Sequence, residues 1–489
     1  MGIRRPAVTA AATAALIGAF TVPLAGSAAS AAEGTTTVRE DFDGDGYQDV
    51  AVAATSATVA GHAWAGYIAI TYGSANGPGR TTIITQDTPG VPGTSGDNKG
   101  FGYALIPRDL DGDGLTDLAV ATNEHLPENN TGGSVIVLWG RSTGLSGTDA
   151  VRVPAPANAT VGENITTGDF DGDGHTDLFF HNSEEYDFRT VLFGPFGRDG
   201  APAREQELNM FSTDNMMCTV ASGDFNGDGI DDLATFYVYE NHAEGGKLWL
   251  GTPQGLSTVS QRLNSANTTA VGDFDKDGYA DLATRIYPNG DTEGMEEDPG
   301  TIKIYYGSPA GPSATRTKTI TQDTAGVPGV SEKGDRFGAR LSAGDVNGDG
   351  YADLAVGVPG EAVGSVTKAG SVVLLKGGKG GLTGTGAQAF HQNTAGVPGA
   401  VEKGDVFGGS VRLLDVTGDG KADLTTGAPG ENLGTIVNGG AVWLLRGTAS
   451  GLTAAKSFAQ NPVDLGSPAT KAQFGMNLAG ENGPNQLIP

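Results

Sequence analysis

Cysteine is almost missing from this 489-residue chain. Cys218 stands alone, so no internal disulfide can form, and it reads as a small buried apolar residue in a strand. Clusters of Lys or Arg are missing too. The chain has 57 Asp+Glu against 30 Lys+Arg and lacks the basic patch that a phosphate backbone requires, which excludes nucleic acid as a partner. Helical periodicity is nearly absent, and no HExxH zinc motif occurs. Past the N-terminal leader there is no long apolar run, so the mature chain is expected to have no membrane span.

That leader, residues 1–32, has the parts of a secretory signal. Arg4 and Arg5 make the positive start, Ala7 to Phe20 the apolar run, and Ser30-Ala31-Ala32 the cleavage site. Ser27 stands where a lipoprotein signal needs cysteine. The mature protein, 33–489, is expected to be secreted, extracellular and monomeric. Without disulfides, an exported chain of this size needs a good core, bound metal, or both.

What the chain has in abundance is glycine, at 79 residues, and one recurring pattern. It reads DFDGDGYQD from Asp41, DLDGDGLTD from Asp109, DFDGDGHTD from Asp169 and DFNGDGIDD from Asp224. It continues as DFDKDGYAD from Asp273, DVNGDGYAD from Asp345 and DVTGDGKAD from Asp415. The steps of 68, 60, 55, 49, 72 and 70 residues mark an array of supersecondary units. A short apolar run follows each copy, then a variable loop, then a stronger strand signal, as at Tyr67 to Tyr72, Ser134 to Trp139 and Ala441 to Leu445. Glycine turns close these strands, and a weaker fourth strand follows, as at Gln388 to Phe390.

Seven units of about four strands predict an all-β, seven-bladed β-propeller. Phe101-Gly102, Phe337-Gly338 and Phe407-Gly408 are expected to open the first strand of their units. The first unit has none, and the C-terminus has a spare at Phe474 to Leu478. Pairing the N- and C-terminal segments, with 470–489 completing blade one, would close the ring and remove its free edges.

In each nine-residue copy, positions 1, 3, 5 and 9 are oxygen-bearing side chains, and position 6 is always glycine. So many neighbouring carboxylates repel unless a cation lies between them. Oxygen-only ligation on a flexible loop selects calcium, with position 7 giving a backbone carbonyl. The candidate ligands are Asp41, Asp43, Asp45, Tyr47 and Asp49; Asp109, Asp111, Asp113, Leu115 and Asp117; Asp169, Asp171, Asp173, His175 and Asp177. They continue with Asp224, Asn226, Asp228, Ile230 and Asp232; Asp273, Asp275, Asp277, Tyr279 and Asp281. The last sets are Asp345, Asn347, Asp349, Tyr351 and Asp353, and Asp415, Thr417, Asp419, Lys421 and Asp423. Up to seven calcium ions would bring the formal charge from −27 to −13. Position 12 is Val52, Val120, Phe180 or Val356, inside an apolar strand, in the copies from Asp41, Asp109, Asp169 and Asp345, where an EF-hand needs Glu, so these are strand–loop–strand sites. The loop from Asp415, with Thr417 and Lys421, is expected to bind weakest.

These residues resemble the FG-GAP repeats of the integrin α-subunit propeller and of exported integrin-like proteins. Phe337-Gly338, Asp345 to Asp353 and Gly357-Val358-Pro359 carry the resemblance, as do Phe407-Gly408, Asp415 to Asp423 and Gly427-Ala428-Pro429. It implies a seven-bladed propeller with calcium in the turn between strands 1 and 2 of each blade. Repeats three to five match more loosely.

No catalytic residue is assigned. Gly140-Arg141-Ser142-Thr143-Gly144 matches the GxSxG elbow, but the same turn recurs at Gly251, Gly307 and Gly447 without the serine, so it is a blade turn. The near-identical stretches 86–93, 322–329 and 392–399 are read as blade linkers, and the acidic stretch Tyr287 to Pro299 as a solvated loop. The expected function is calcium-dependent binding or adhesion to a protein or surface glycan, not catalysis. The alternative is a lectin or carbohydrate-active enzyme on the same scaffold, with Trp64, Trp139, Trp249 and Trp443 offered to sugars.

Overall fold

Twenty-eight short strands form seven antiparallel sheets of four in the computed structural model. It describes residues 40–126, 131–154, 164–181, 189–208, 216–287 and 290–480. The leader 1–32 lies outside the described residues, and those described fall in one compact unit, Gly34–Pro489.

Blade six shows the plan: β20 (Arg340–Gly344), β21 (Asp353–Val358), β22 (Ser371–Lys376) and β23 (Thr383–Phe390), paired in that order. β21, the apolar run after an acidic loop, is buried along its whole length, as a strand covered on both sheet faces must be. β23 is partly exposed, because it is the outer edge of the blade. The predicted third strands appear in place, for example β2 (Tyr67–Thr71), β6 (Thr131–Leu138) and β26 (Ala441–Thr448). No α-helix occurs among the described residues.

Apolar side chains of adjacent blades share each core. One cluster joins Phe274, Ile302 and Ile304 of blade five to Phe337, Leu354 and Val356 of blade six. Another joins Val50, Val52 and Tyr67 of blade one to Leu414, Val442 and Phe474. That second cluster seals the ring. β28 (Asn477–Leu478) pairs with β1 (Val50–Ala54) through Val52↔Leu478 and Ala53↔Asn477, so blade one is built from both ends of the chain.

The Phe-Gly pairs differ from expectation in one respect. They lie in the turn just before the first strand, not in it: β4 (Leu105–Arg108) starts after Phe101-Gly102, and β20 after Phe337-Gly338. Phe101, Phe337, Phe407 and Phe474 are fully buried and plug the ends of the cores. The fold uses this pair for packing and a tight turn, which a propensity reading takes for strand.

Cys218 lies at a bulge in β12 (Met216–Gly223), where its thiol donates to the Ala266 carbonyl at 3.3 Å. Burial pushes the thiol up to about 11. The stretch 287–299 is not wholly solvated. Arg285 pairs with Asp298 at 2.9 Å, both buried, and pins that loop to its blade.

Candidate functional site

The antiparallel plan puts all seven acidic loops on one face of the ring. Six of them join the first and second strands of a blade, and the one from Asp41 leads into β1, whose partner strand β28 comes from the other end of the chain. Inside each loop the backbone is wound around its first carboxylate. The position-6 glycine amide donates to the position-1 carboxylate in every loop, at 2.7–2.9 Å. Position 5 accepts the position-7 amide in every loop, at 2.9–3.2 Å. Position 6 must be glycine because its φ runs from +81° to +92° in the seven copies, a region costly for any side chain.

Position 9 is fully buried in every loop. One oxygen accepts the amide of the glycine that ends the third strand, at 2.7–3.0 Å in all seven blades. The other accepts the position-2 amide in five of them, as Phe42 to Asp49 at 2.7 Å. This carboxylate therefore ties the loop to the far side of the blade. Burial pushes Asp49, Asp177 and Asp232 up to about 8, Asp117 and Asp281 to about 7, and Asp353 and Asp423 to about 6.

Carboxylate oxygens converge within 4.8 Å in four loops: Asp41, Asp43 and Asp45; Asp109, Asp111 and Asp117; Asp169, Asp171 and Asp177; Asp273, Asp275 and Asp281. In the other three, position 3 is Asn226, Asn347 or Thr417, and two acids remain beside position 1. Some oxygens have no donor although buried: Oδ1 of Asp43 and Asp275, and Oδ2 of Asp232 and Asp423. Buried unpaired carboxylate oxygens are costly, and a hard cation is the partner they lack. The residues present therefore fit a divalent ion of the calcium type.

Sequence reasoning missed three contributions. Position 2 (Phe42, Leu110, Phe170, Phe225, Phe274, Val346, Val416) is buried beneath its loop. Position 7 is not a free side chain. Leu115 covers Gly44 of the preceding loop, Ile230 covers Gly172 and Tyr279 covers Gly227, so a Cβ on those position-4 glycines would lie 2.5–2.8 Å from the covering side chain. Lys276, the exception at position 4, takes a φ of 58° and sends its amine to the Asp349 carbonyl at 3.0 Å. Lastly, arginines reach four of the loops. Their distance along the chain from the loop varies, so no fixed spacing reveals them.

A seven-bladed β-propeller with one acidic loop per blade, four of them with carboxylates grouped closely enough to hold a metal ion, is the class these observations define. Residues 34–71, 219–250, 337–375 and 407–445 match the FG-GAP repeat, and 109–180 match the FG-GAP-like repeat. The chain carries FG-GAP repeats. It is 29% identical over 241 residues to "Integrin alpha pat-2" of Caenorhabditis briggsae, a match covering 46% of this chain and 19% of that protein. It is 30% identical over 116 residues to "Phosphatidylinositol-glycan-specific phospholipase D" of Mus musculus, covering 24% of this chain and 14% of that one. The match thus spans less than a fifth of either relative. Among solved structures, "Structure of Dos1 propeller" aligns over 81% of both chains at 9% identity with a TM-score of 0.39, too loose to bear on function.

Proposed function

We propose that this propeller is an extracellular binding module whose loops hold calcium, and that it captures a protein or surface glycan rather than catalysing a reaction. The observation that carries the cation reading is the set of buried acceptor oxygens without donors in loops already wound into shape. Positions 1, 3, 5 and 9 and the position-7 carbonyl would hold the ion. It would supply the positive charge that lets converging carboxylates stay ionised.

The binding reading draws on the repeats shared with integrin α chains and on the array of loops that seven blades present around one axis. The four closely grouped sets of acids lie in the acidic loops, where they brace backbone amides, which favours a cation-holding role for them over acid–base work. The chain is read as a secreted monomer.

Chelation tests the cation reading. Each site occupied at a hundredfold excess over Kd adds about 2.7 kcal/mol to stability. Stripping with EDTA is expected to lower the melting temperature and calcium to restore it, with several ions per chain by elemental analysis. An unchanged melt and a metal-free protein would overturn it. For the binding reading, calcium-dependent retention on a glycan array without glycan cleavage is expected. Turnover lost on replacing an acid outside the loops would favour the carbohydrate-active alternative.

A further inference from the structure

Four loops carry aspartate at position 3, and each has an arginine on it. Arg80 Nη2 lies 2.9 Å from Asp43 Oδ2, and Arg204 Nη2 lies 2.5 Å from Asp171 Oδ2. Arg198 reaches Asp111 Oδ2 at 2.5 Å and Asp113 Oδ2 at 2.7 Å. Arg316 pairs with Asp275 Oδ2 and reaches Asp277 Oδ2 at 2.7 Å. Among the described residues, no arginine pairs with the loops whose position 3 is Asn226, Asn347 or Thr417; there the one ion pair is Lys421 with Asp419 of its own loop, at 3.5 Å.

A second residue follows the same division. Each arginine lies against the ring of the residue just before the glycine that braces position 9. Arg80 is 3.4 Å over Tyr72, Arg204 is 3.3 Å over Phe193, Arg198 is 4.7 Å over Trp139 and Arg316 is 4.9 Å over Tyr306. In the other three blades that residue is Leu250, Lys376 or Arg446. Arg80, Arg204 and Arg316 stand at or just before the start of their own blade's outer strand. Arg198 instead comes from the neighbouring blade, in the turn after β10 (Arg189–Phe193). Two chain positions thus deliver a guanidinium to one place, which points to a need at that place rather than to copying of a repeat.

Charge identifies the need. Over positions 1, 3, 5 and 9 alone, a four-carboxylate loop with its arginine carries the same net charge as a loop that holds asparagine at position 3. The guanidinium takes Oδ2 and leaves Oδ1 to face the loop, without any donor in Asp43 and Asp275.

We propose that these arginines are resident counter-cations. Each offsets the extra charge of aspartate at position 3, holds that carboxylate by its outer oxygen, and keeps the loop folded when no ion is bound. The inference rests on the cation reading for the incoming ion, but not for the ion-free state. They are positioning residues and not ligands.

The test compares melting of the full mature chain in EDTA and in calcium. One variant replaces Arg80, Arg198, Arg204 and Arg316 by Gln. A second adds Asp43→Asn, Asp111→Asn, Asp171→Asn and Asp275→Asn. The four-Gln variant is expected to lose about 3 °C or more in EDTA beyond any loss in calcium, and the added asparagines are expected to restore most of it. An equal loss in both buffers while the wild type melts higher in calcium, or no restoration in EDTA, would overturn the proposal. Should the four-Gln chain not fold, Arg316→Gln with and without Asp275→Asn gives the same readout on one loop, with Arg316→Lys expected near wild type. A wild-type melt identical in both buffers sinks the calcium reading alone, since restoration by asparagine in EDTA still decides the arginine.

Discussion

On the face with the acidic loops, each blade repeats nine residues in one register. In six blades the position-8 amide donates to the position-1 carbonyl of the preceding blade at 2.8–3.2 Å, including Gln48 to Asp415 across the closure. On the opposite face the connections between second and third strands share no such rule. Blades one, six and seven keep a small bridged loop (Val59↔His62, Val363↔Val366, Leu433↔Ile436), while blade five has the acidic loop pinned by Arg285 and Asp298. Trp64 lies there 57% exposed, whereas Trp139, Trp249 and Trp443 are buried. The difference teaches where the ring is constrained. A loop whose amides and carbonyls are shared with its neighbours cannot change its backbone path without disturbing two blades, whereas the connections on the other face differ in form from blade to blade.

The sharpest break of this contrast is between tryptophans. Trp443→Ala empties a shared core and is expected to cost about 3–5 kcal/mol, whereas Trp64→Ala is expected to change stability by less than about 0.5 kcal/mol; urea melts of both variants check it. Next is the brace. Asp281→Ala leaves the Phe274 and Gly307 amides buried without an acceptor. It is expected to cost about 2–4 kcal/mol, with Asp281→Asn losing less in EDTA melts because its carbonyl still accepts.

The smallest effect lies on the other face. Burial pushes Asp405 up to about 7, against an ordinary value of 3.8. A carboxyl raised by folding holds its proton in the native state while the unfolded chain has lost it, so stability falls as pH rises from about 4 to about 7. Asp405→Asn is expected to flatten that slope and to gain about 1–2 kcal/mol at pH 8. Denaturant melts at pH 5 and pH 8 in fixed calcium check it, and a slope unchanged by the substitution would remove Asp405 as its source.

Much of this was legible in the residues. The period of the DxDxDGxxD pattern, the apolar runs such as Asp353 to Val356, and the spare C-terminal Phe474 to Leu478 led to seven blades and a closed ring. What stayed hidden depends on neighbours far apart in the chain. The buried glutamines of the three near-identical linkers reach acids of the next blade: Gln86 to Glu124, Gln322 to Glu361 and Gln392 to Glu431. Nothing local to a linker names that partner. Position 7 looked unconstrained because its variation is matched on the preceding blade, not in its own loop.

The sequence by itself determined the number of repeats, the strand pattern within each and the placing of carboxylates at alternate loop positions, because these follow from local periodicity and turn chemistry. Only the tertiary structure decided which carboxylates converge, which face inward without a donor, and which receive an arginine from their own or the next blade. Those outcomes depend on distances across sheets and between blades, and a closed ring brings together residues that no spacing along the chain relates.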